Sequence, residues 1–363
     1  VMYCGGLNIY KSTNGGANWN QITQWYANLQ YDVVHADQRY TAFHPLIPDR
    51  IFFCNDGGVY HYKESNSTWT DLSDRLIITQ FYRIAHSQTN PMVVIGGTQD
   101  NGGRIRDNNG SWRPTNGGDA MEVAVDPVND SVVYSTYTYG TLYRSLDQWT
   151  TNNVTQISYY IPGQPAGNWV TPYVLDPSDH NTIVAGYNEV WRSTDRGNTW
   201  TPLSFNITGN MNTTIEHLTV APADPNTIWI SFGTTLKMTN NMGLSWTTIT
   251  PPGTADISSI VIHPTNPQKV WITCNGYDAG NKVYYSNNGG TSWTNISGSL
   301  PNTPVNVAVY ENASTDVIYI GTDAGVFYRD SINPNWQVLG TGMPNTFITD
   351  LEIFYPTRKI RAA

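Results

Sequence analysis

The chain has 363 residues, of which 13% are charged and 12% aromatic, with 13 Trp and 23 Tyr and a net charge of −9. Helix-rich soluble domains carry about 25% charge, so this composition points to many short strands joined by polar turns. No Lys/Arg cluster exceeds the Arg358-Lys359 and Arg361 group, which excludes the counterion release that drives nucleic-acid binding. No apolar run approaches the ~20 residues of a membrane span, so no membrane insertion is expected.

In chain order, short apolar strands end in turns at His44-Pro45, Thr89-Asn90-Pro91, Asp126-Pro127, Asp176-Pro177, Ala221-Pro222, His263-Pro264 and Tyr355-Pro356. An apolar strand follows most of them: 51–54, 92–96, 132–135, 182–186, 228–232 and 270–274. Pro cannot donate to a ladder, so these turns end pairing and reverse the chain. Trp19, Trp69, Trp112, Trp149, Trp200, Trp246, Trp293 and Trp336 recur at a mean spacing of about 45 residues, close to the ~40–50-residue period of a four-stranded propeller blade. No stretch sustains a 3.6-residue apolar period. The expected fold is all-β, a β-propeller of four-stranded antiparallel blades. Radial closure protects the edges that an isolated array would expose.

The spacing supplies seven complete blades over 34–342. Residues 1–24 form a partial blade, either closing the ring or belonging to an adjoining propeller, and 346–363 form another partial blade. Seven blades is the preferred count and eight the alternative. The start at Val1 and the ending at Ala363 read as a piece of a longer polypeptide. Cys4, Cys54 and Cys274 each end a short apolar run and are expected as buried small hydrophobes, with a Cys4–Cys54 disulfide as the other possibility. Their spacing has no metal-site signature.

The turns Ser12–Trp19, Ser193–Trp200 and Ser286–Trp293, with a looser copy at Thr239–Trp246, carry Asp or Asn at the third position and Gly at the fifth. Such an Asx side chain bonds its own turn backbone, Gly takes a left-handed conformation and Trp closes the hairpin. The pattern resembles the Asp-box, or BNR, repeat. That repeat occurs in sialidases, two-propeller xyloglucanases and sortilin-type domains, where the boxes lie opposite the ligand site. The strings Val34–Gln38, Asn55–Gly58, Gly97–Gly102 and Gly117–Met121 are similar to a group of secreted BNR proteins, many from Bacteroidetes with a type IX secretion-sorting domain and often labelled glycosyl hydrolase-like. The resemblance implies an extracellular or cell-surface location and an adjoining propeller. It concerns the scaffold, and a scaffold does not assign function.

In such blades the turn before the first strand and the turn between strands two and three share one rim. His35, Asp37 and Gln38, then Gln80 and Tyr82, then Asp119 and Glu122, precede first strands. Asn55-Asp56 and Gln99, Asp100 and Asn101 occupy second-to-third turns. These residues are expected to converge at the mouth of the central channel. Carboxylates about 5–9.5 Å apart can hydrolyse glycosides, and Asp37 with Asp119 is the pair such chemistry would use, Asp100 being the substitute. The same amides, carboxylates and Tyr82, with Trp169, can instead hold a sugar without cleaving it.

The leading expectation is carbohydrate or surface-ligand binding at this rim. The alternatives are a glycoside hydrolase resembling the xyloglucanases and an adhesion scaffold without catalysis. No cofactor is called for; Ca²⁺ between Asp37 and Asp100 has no supporting spacing. Arg39, Arg83 and Arg104 lack the sequence context of a sialidase. No Gly-x-Ser-x-Gly, phosphate-loop or His-Glu-x-x-His motif occurs.

Overall fold

The computed structural model describes residues 1–27, 30–74, 76, 79–312, 315–340 and 342–363. It is all-β, its only helices being two single 3₁₀ turns among the described residues. Contacts divide the chain into two compact units, Val1–Thr79 and Gln80–Ala363.

Unit one holds a three-stranded antiparallel sheet (Met2–Gly5, Ile9–Ser12, Asn20–Gln21) and a four-stranded one (Gln38–Phe43, Arg50–Asn55, Gly58–Lys63, Thr68–Asp71). Ile9, Val34, Ile51, Phe53 and Tyr62 form its core. All three cysteines of the chain are free thiols, with Cys4 exposed, Cys54 half-buried and Cys274 buried. The expectation of three buried cysteines therefore holds only for Cys274. Cys4 lies on Met2–Gly5, the outermost strand of a three-stranded sheet, so pairing covers only one side of it.

Unit two holds six four-stranded antiparallel sheets among the described residues, each with its strands in sequence order, and a two-stranded hairpin, Leu351–Phe354 with Lys359–Ala362. The inner strands are Arg83–His86, Ala120–Val125, Tyr173–Asp176, His217–Ala221, Ile257–His263 and Val305–Glu311. Each packs beside the inner strand of the next sheet, and Leu351–Phe354 packs beside both Val305–Glu311 and Arg83–His86. The reversals after the inner strands are tight: Asp176 pairs with Asp179, Ala221 with Asp224 and His263 with Asn266.

Apolar second strands fill the space between sheets. Trp229 is wholly buried among Ile257, Ile272 and Tyr284 of the following sheet. A neighbouring turn closes over it, because a Cβ on Gly290 would lie 2.8 Å from the Trp229 ring.

The third-to-fourth turns share one set of bonds. The hydroxyls of Ser12, Ser193, Thr239 and Ser286 donate to the Asx oxygen two residues on, at 2.8–3.0 Å. Each accepts the N–H four residues on, at 2.7–3.0 Å. The residue donating that bond has positive φ: Gly16, Gly197, Gly243 and Gly290.

A fifth turn, unmarked in the sequence, does the same with Ser145 and Asp147, placing Gln148 and Trp149 at φ 57° and 59°. Trp149 thus occupies the Gly position of the turn and is not the Trp that closes it. This corrects the reading of all eight Trp residues as equivalent. Trp200 and Trp336 are buried, while Trp19 and Trp112 are exposed.

Candidate functional site

In unit one, Gln38 donates through Nε2 to the His35 carbonyl at 2.6 Å, and its Oε1 accepts from Asn55 at 3.5 Å. The His35 ring lies over Gly57, where a Cβ would meet it at 2.3 Å. Asp37 stands in the left-handed region at φ 60°, which Asp tolerates better than most residues. Asp56 forms a two-pronged pair with Arg39 at 2.6 and 2.8 Å, and that pair holds its carboxyl below the usual range. The string is therefore a bonded turn in which Asp37 is half-buried.

In unit two, the turn between Val94–Thr98 and Gly102–Arg106 leans on the loop before Ala120–Val125. The Asp100 N–H donates to Asp119 Oδ1 at 2.9 Å, and Gly102 and Gly103 donate to the carbonyls of Gly118 and Asn116. Asp100 takes φ 60°. Tyr82 donates its hydroxyl to Gln99 Oε1 at 3.0 Å, and the Asn101 amide reaches the Gln99 carbonyl. Tyr82, Gln99, Asp100, Asn101 and Asp119 therefore do assemble. Gln80 lies exposed at the start of the unit.

Glu122 departs from this group. Its side chain points into a cavity of about 160 Å³ lined by the inner strands, with Arg83, Tyr173, Glu216, His217, Ser259 and Asn306 around it. The register of the strand shifts between Ala120 and Val123. Arg83 Nε lies 3.3 Å from the Glu122 carboxylate, and its Nη1 donates to the Tyr82 and Thr349 carbonyls at 2.8 and 3.3 Å.

Enclosure by the strand walls pushes Glu122 up to about 7, with Arg83 opposing and Asp350 adding. Burial likewise raises Asp350 and Glu352 beside it. His217 is driven down to about 3 by burial and then by Arg83, against a hydrogen bond with Ile257, so its imidazole is neutral. At neutral pH the cavity thus offers a carboxyl that can hold or release a proton, a guanidinium and an uncharged imidazole.

Sequence reasoning missed Tyr173, Glu216 and His217. Glu216 stands immediately before a strand that His217 opens, as Asp119 stands before Ala120–Val125, and that placement was the available signal.

This arrangement of sheets has known counterparts. The chain is 29% identical over 309 residues to a xyloglucanase from a Paenibacillus species, covering 79% of this chain and 25% of that protein. It is a β-propeller, similar to glycoside hydrolases. It superposes on the GH74 xyloglucanase from Xanthomonas campestris with a TM-score of 0.60 and 17% identity, over 86% of this chain and 55% of that one. An ancestral GH74 enzyme gives 0.58 and 18% identity, over 73% of this chain and 39% of that one. Residues 188–326 also match the Sortilin-Vps10 family (sortilin, neurotensin receptor 3). The propeller chain spans about a quarter of the length of the Paenibacillus relative.

Proposed function

We propose that this chain is a propeller portion of a secreted glycoside hydrolase that acts on xyloglucan-type polysaccharide. The observation that carries the reading is the 309-residue likeness to a xyloglucanase. The scaffold proposed is a seven-bladed ring made by unit two, with Leu351–Phe354 and Lys359–Ala362 as its short last blade. The packing of Leu351–Phe354 against both Val305–Glu311 and Arg83–His86 supports it, and the five shared turns are read as Asp boxes.

Within unit two the carboxylates assigned to the chemistry are Asp119 and, as its partner, Asp100. Asp119 is held by the Asp100 N–H through one oxygen, which leaves the second for a proton or a sugar. A hydrolase of this class needs one carboxyl as acid and one as base or nucleophile. Tyr82, Gln99 and Asn101, with Gln80 at the start of the same unit, are assigned to sugar hydroxyls.

The test is reducing-sugar release from xyloglucan alongside retention on immobilised xyloglucan. Release that is lost in Asp119→Asn or Asp100→Asn, with folding intact, is the expected result. Retention without release would favour the second reading, a glycan-binding propeller. The network of turn-held amides and Tyr82 speaks for that reading, since it can bind hydroxyls without supplying an acid. Neither release nor retention would end both.

A further inference from the structure

The last sheet of unit two is shorter than the sheets before it. Each of those has four strands, whereas Leu351–Phe354 and Lys359–Ala362 form a two-stranded hairpin, with no third or fourth strand among the described residues. Its second strand is therefore an open edge. Ala363 exchanges backbone bonds with Asp350, and the pairing runs on from Ala362 with Leu351 to Lys359 with Phe354. Bonded and non-bonded pairs alternate along an antiparallel ladder, so Ile360 and Ala362 turn their N–H and C=O groups outward.

The first sheet of unit two shows what this edge lacks. Ile105 packs with Val123, Val125 and Val133 of the second sheet, so Arg104 and Arg106 take the opposite face of their strand. Arg106 is in register with Trp112 and Val94, and Val94 with His86, whose ring meets Phe354 of the hairpin at 5.8 Å. The hairpin covers the inner end of this row, while Trp112 at the outer end is 51% exposed. In three other sheets the Trp at this place donates its indole N–H to the carbonyl just after the fourth strand of the sheet before: Trp200 to Ile157 at 3.0 Å, Trp246 to Leu203 at 3.0 Å and Trp336 to Ile296 at 2.7 Å. Trp200 and Trp336 are 6% and 7% exposed. Trp112 lacks that cover because the hairpin beside it stops at its second strand.

Charge selects the occupant. Arg104, which is exposed, and Arg106 face the gap from the first sheet. Arg361 faces it from the hairpin, since it lies over the Phe354 ring and donates to the Pro91 carbonyl of the first sheet, and Lys359 shares its face. Burial pushes Arg361 down, with Glu352 opposing and Arg106 adding, so these cations crowd one another in a chain of net charge −9. On the other flank Ile360 packs against Val326 of the sixth sheet. A strand added at this edge turns alternate side chains towards a cationic wall and an apolar one, and the main-chain bonds of strand addition supply affinity. We infer that Lys359–Ala362 is a docking edge for a β-hairpin of a partner polypeptide, whose pairing strand alternates acidic with apolar residues and whose return strand brings a carbonyl to Trp112.

This inference does not rest on the chemistry assigned to the rim. The experiment titrates the whole chain with a synthetic, disulfide-closed β-hairpin whose pairing strand alternates glutamate with valine, followed by calorimetry and Trp fluorescence. The same hairpin with lysine for glutamate is the comparison arm. Wild type is expected to bind the glutamate hairpin saturably, with a blue shift in emission that Trp112→Phe loses. Arg104→Glu, at an exposed side chain, is expected to weaken binding about fivefold, or ~1 kcal/mol. Ala362→Pro removes an outward N–H, a change that edge strands tolerate, and should weaken binding by a similar factor without lowering the melting temperature. No saturable binding by wild type would overturn the inference. So would equal binding of the lysine hairpin, or undiminished binding by both Arg104→Glu and Ala362→Pro. Self-association of the free chain that Ala362→Pro abolishes would overturn it in favour of a second copy as the occupant.

Discussion

The Asp350 carboxylate accepts the backbone N–H of Ile84 at 2.8 Å across 266 positions of sequence. Its other oxygen accepts from Leu351 N–H at 2.9 Å. The same seam includes Thr349 Oγ1 donating to the Phe81 carbonyl, Gln88 donating to Ile353 and Arg361 donating to Pro91. One carboxylate thus ties the last hairpin of unit two to its first sheet.

Asp350→Ala leaves two backbone donors without an acceptor and is expected to cost about 1–3 kcal/mol. Asp350→Asn keeps one of the two acceptor oxygens and removes a charge that burial disfavours, so it should lose less stability than Asp350→Ala at pH 8. Urea denaturation of the two variants decides the matter. Equal losses would mean that the oxygen is not the tie.

Glu122 has a folded value of about 7 against 4.5 for an ordinary Glu. Between those values the folded chain holds a proton that the unfolded chain has lost, so the Glu122 contribution to stability falls as pH rises through that window. Glu122→Gln fixes the neutral form and should raise the melting temperature more at pH 8 than at pH 5. His217 runs the other way, with a folded value of about 3 against 6.5: its contribution is present above 6.5 and lost in acid. Comparing variant with wild type at each pH cancels the His217 effect. A larger gain at pH 5 would contradict the assignment.

In the turn at Ser193 the hydroxyl carries the bonding, donating to Asp195 and accepting from Gly197 at 2.7 Å. Ser193 is 1% exposed, so Ser193→Ala should cost about 1–3 kcal/mol. Asp195→Asn should be nearly neutral, because Asn288 makes the equivalent bonds with Ser286 and Ser292. Thermal melts that reverse this order would show that charge, and not the oxygen acceptor, holds the turn.

Gly290 sits at φ 81° with Trp229 and Ile249 2.8 and 2.9 Å from where a Cβ would be. Gly290→Ala combines backbone strain with overpacking, each about 1–3 kcal/mol. A melting temperature within one degree of wild type would show that the turn can move away from Trp229.

Much of the scaffold was legible in the residues. Pro and Asn after short apolar runs mark strand ends through backbone chemistry alone, and Ser-x-Asx-x-Gly marks a turn because each residue type has one role in it. The Ser145 turn escaped notice because Gln148 and Trp149 take the left-handed positions that Gly usually fills. The same limit applies at the rim. Tyr82, Gln99, Asp100 and Asp119 could be grouped from their places in the repeat, whereas the burial of Glu122 beside Arg83 and Asp350 depends on strands far apart along the chain.

The sequence by itself determined the repeating sheet and the turns that separate its strands, because those depend on neighbours a few positions apart. Only the tertiary structure decided which sheets share a unit, that Tyr173, Glu216 and His217 line a cavity together with Glu122, and which carboxyls burial pushes upward. Those properties arise from burial and from charges contributed by strands hundreds of residues apart, and local pattern carries no measure of either.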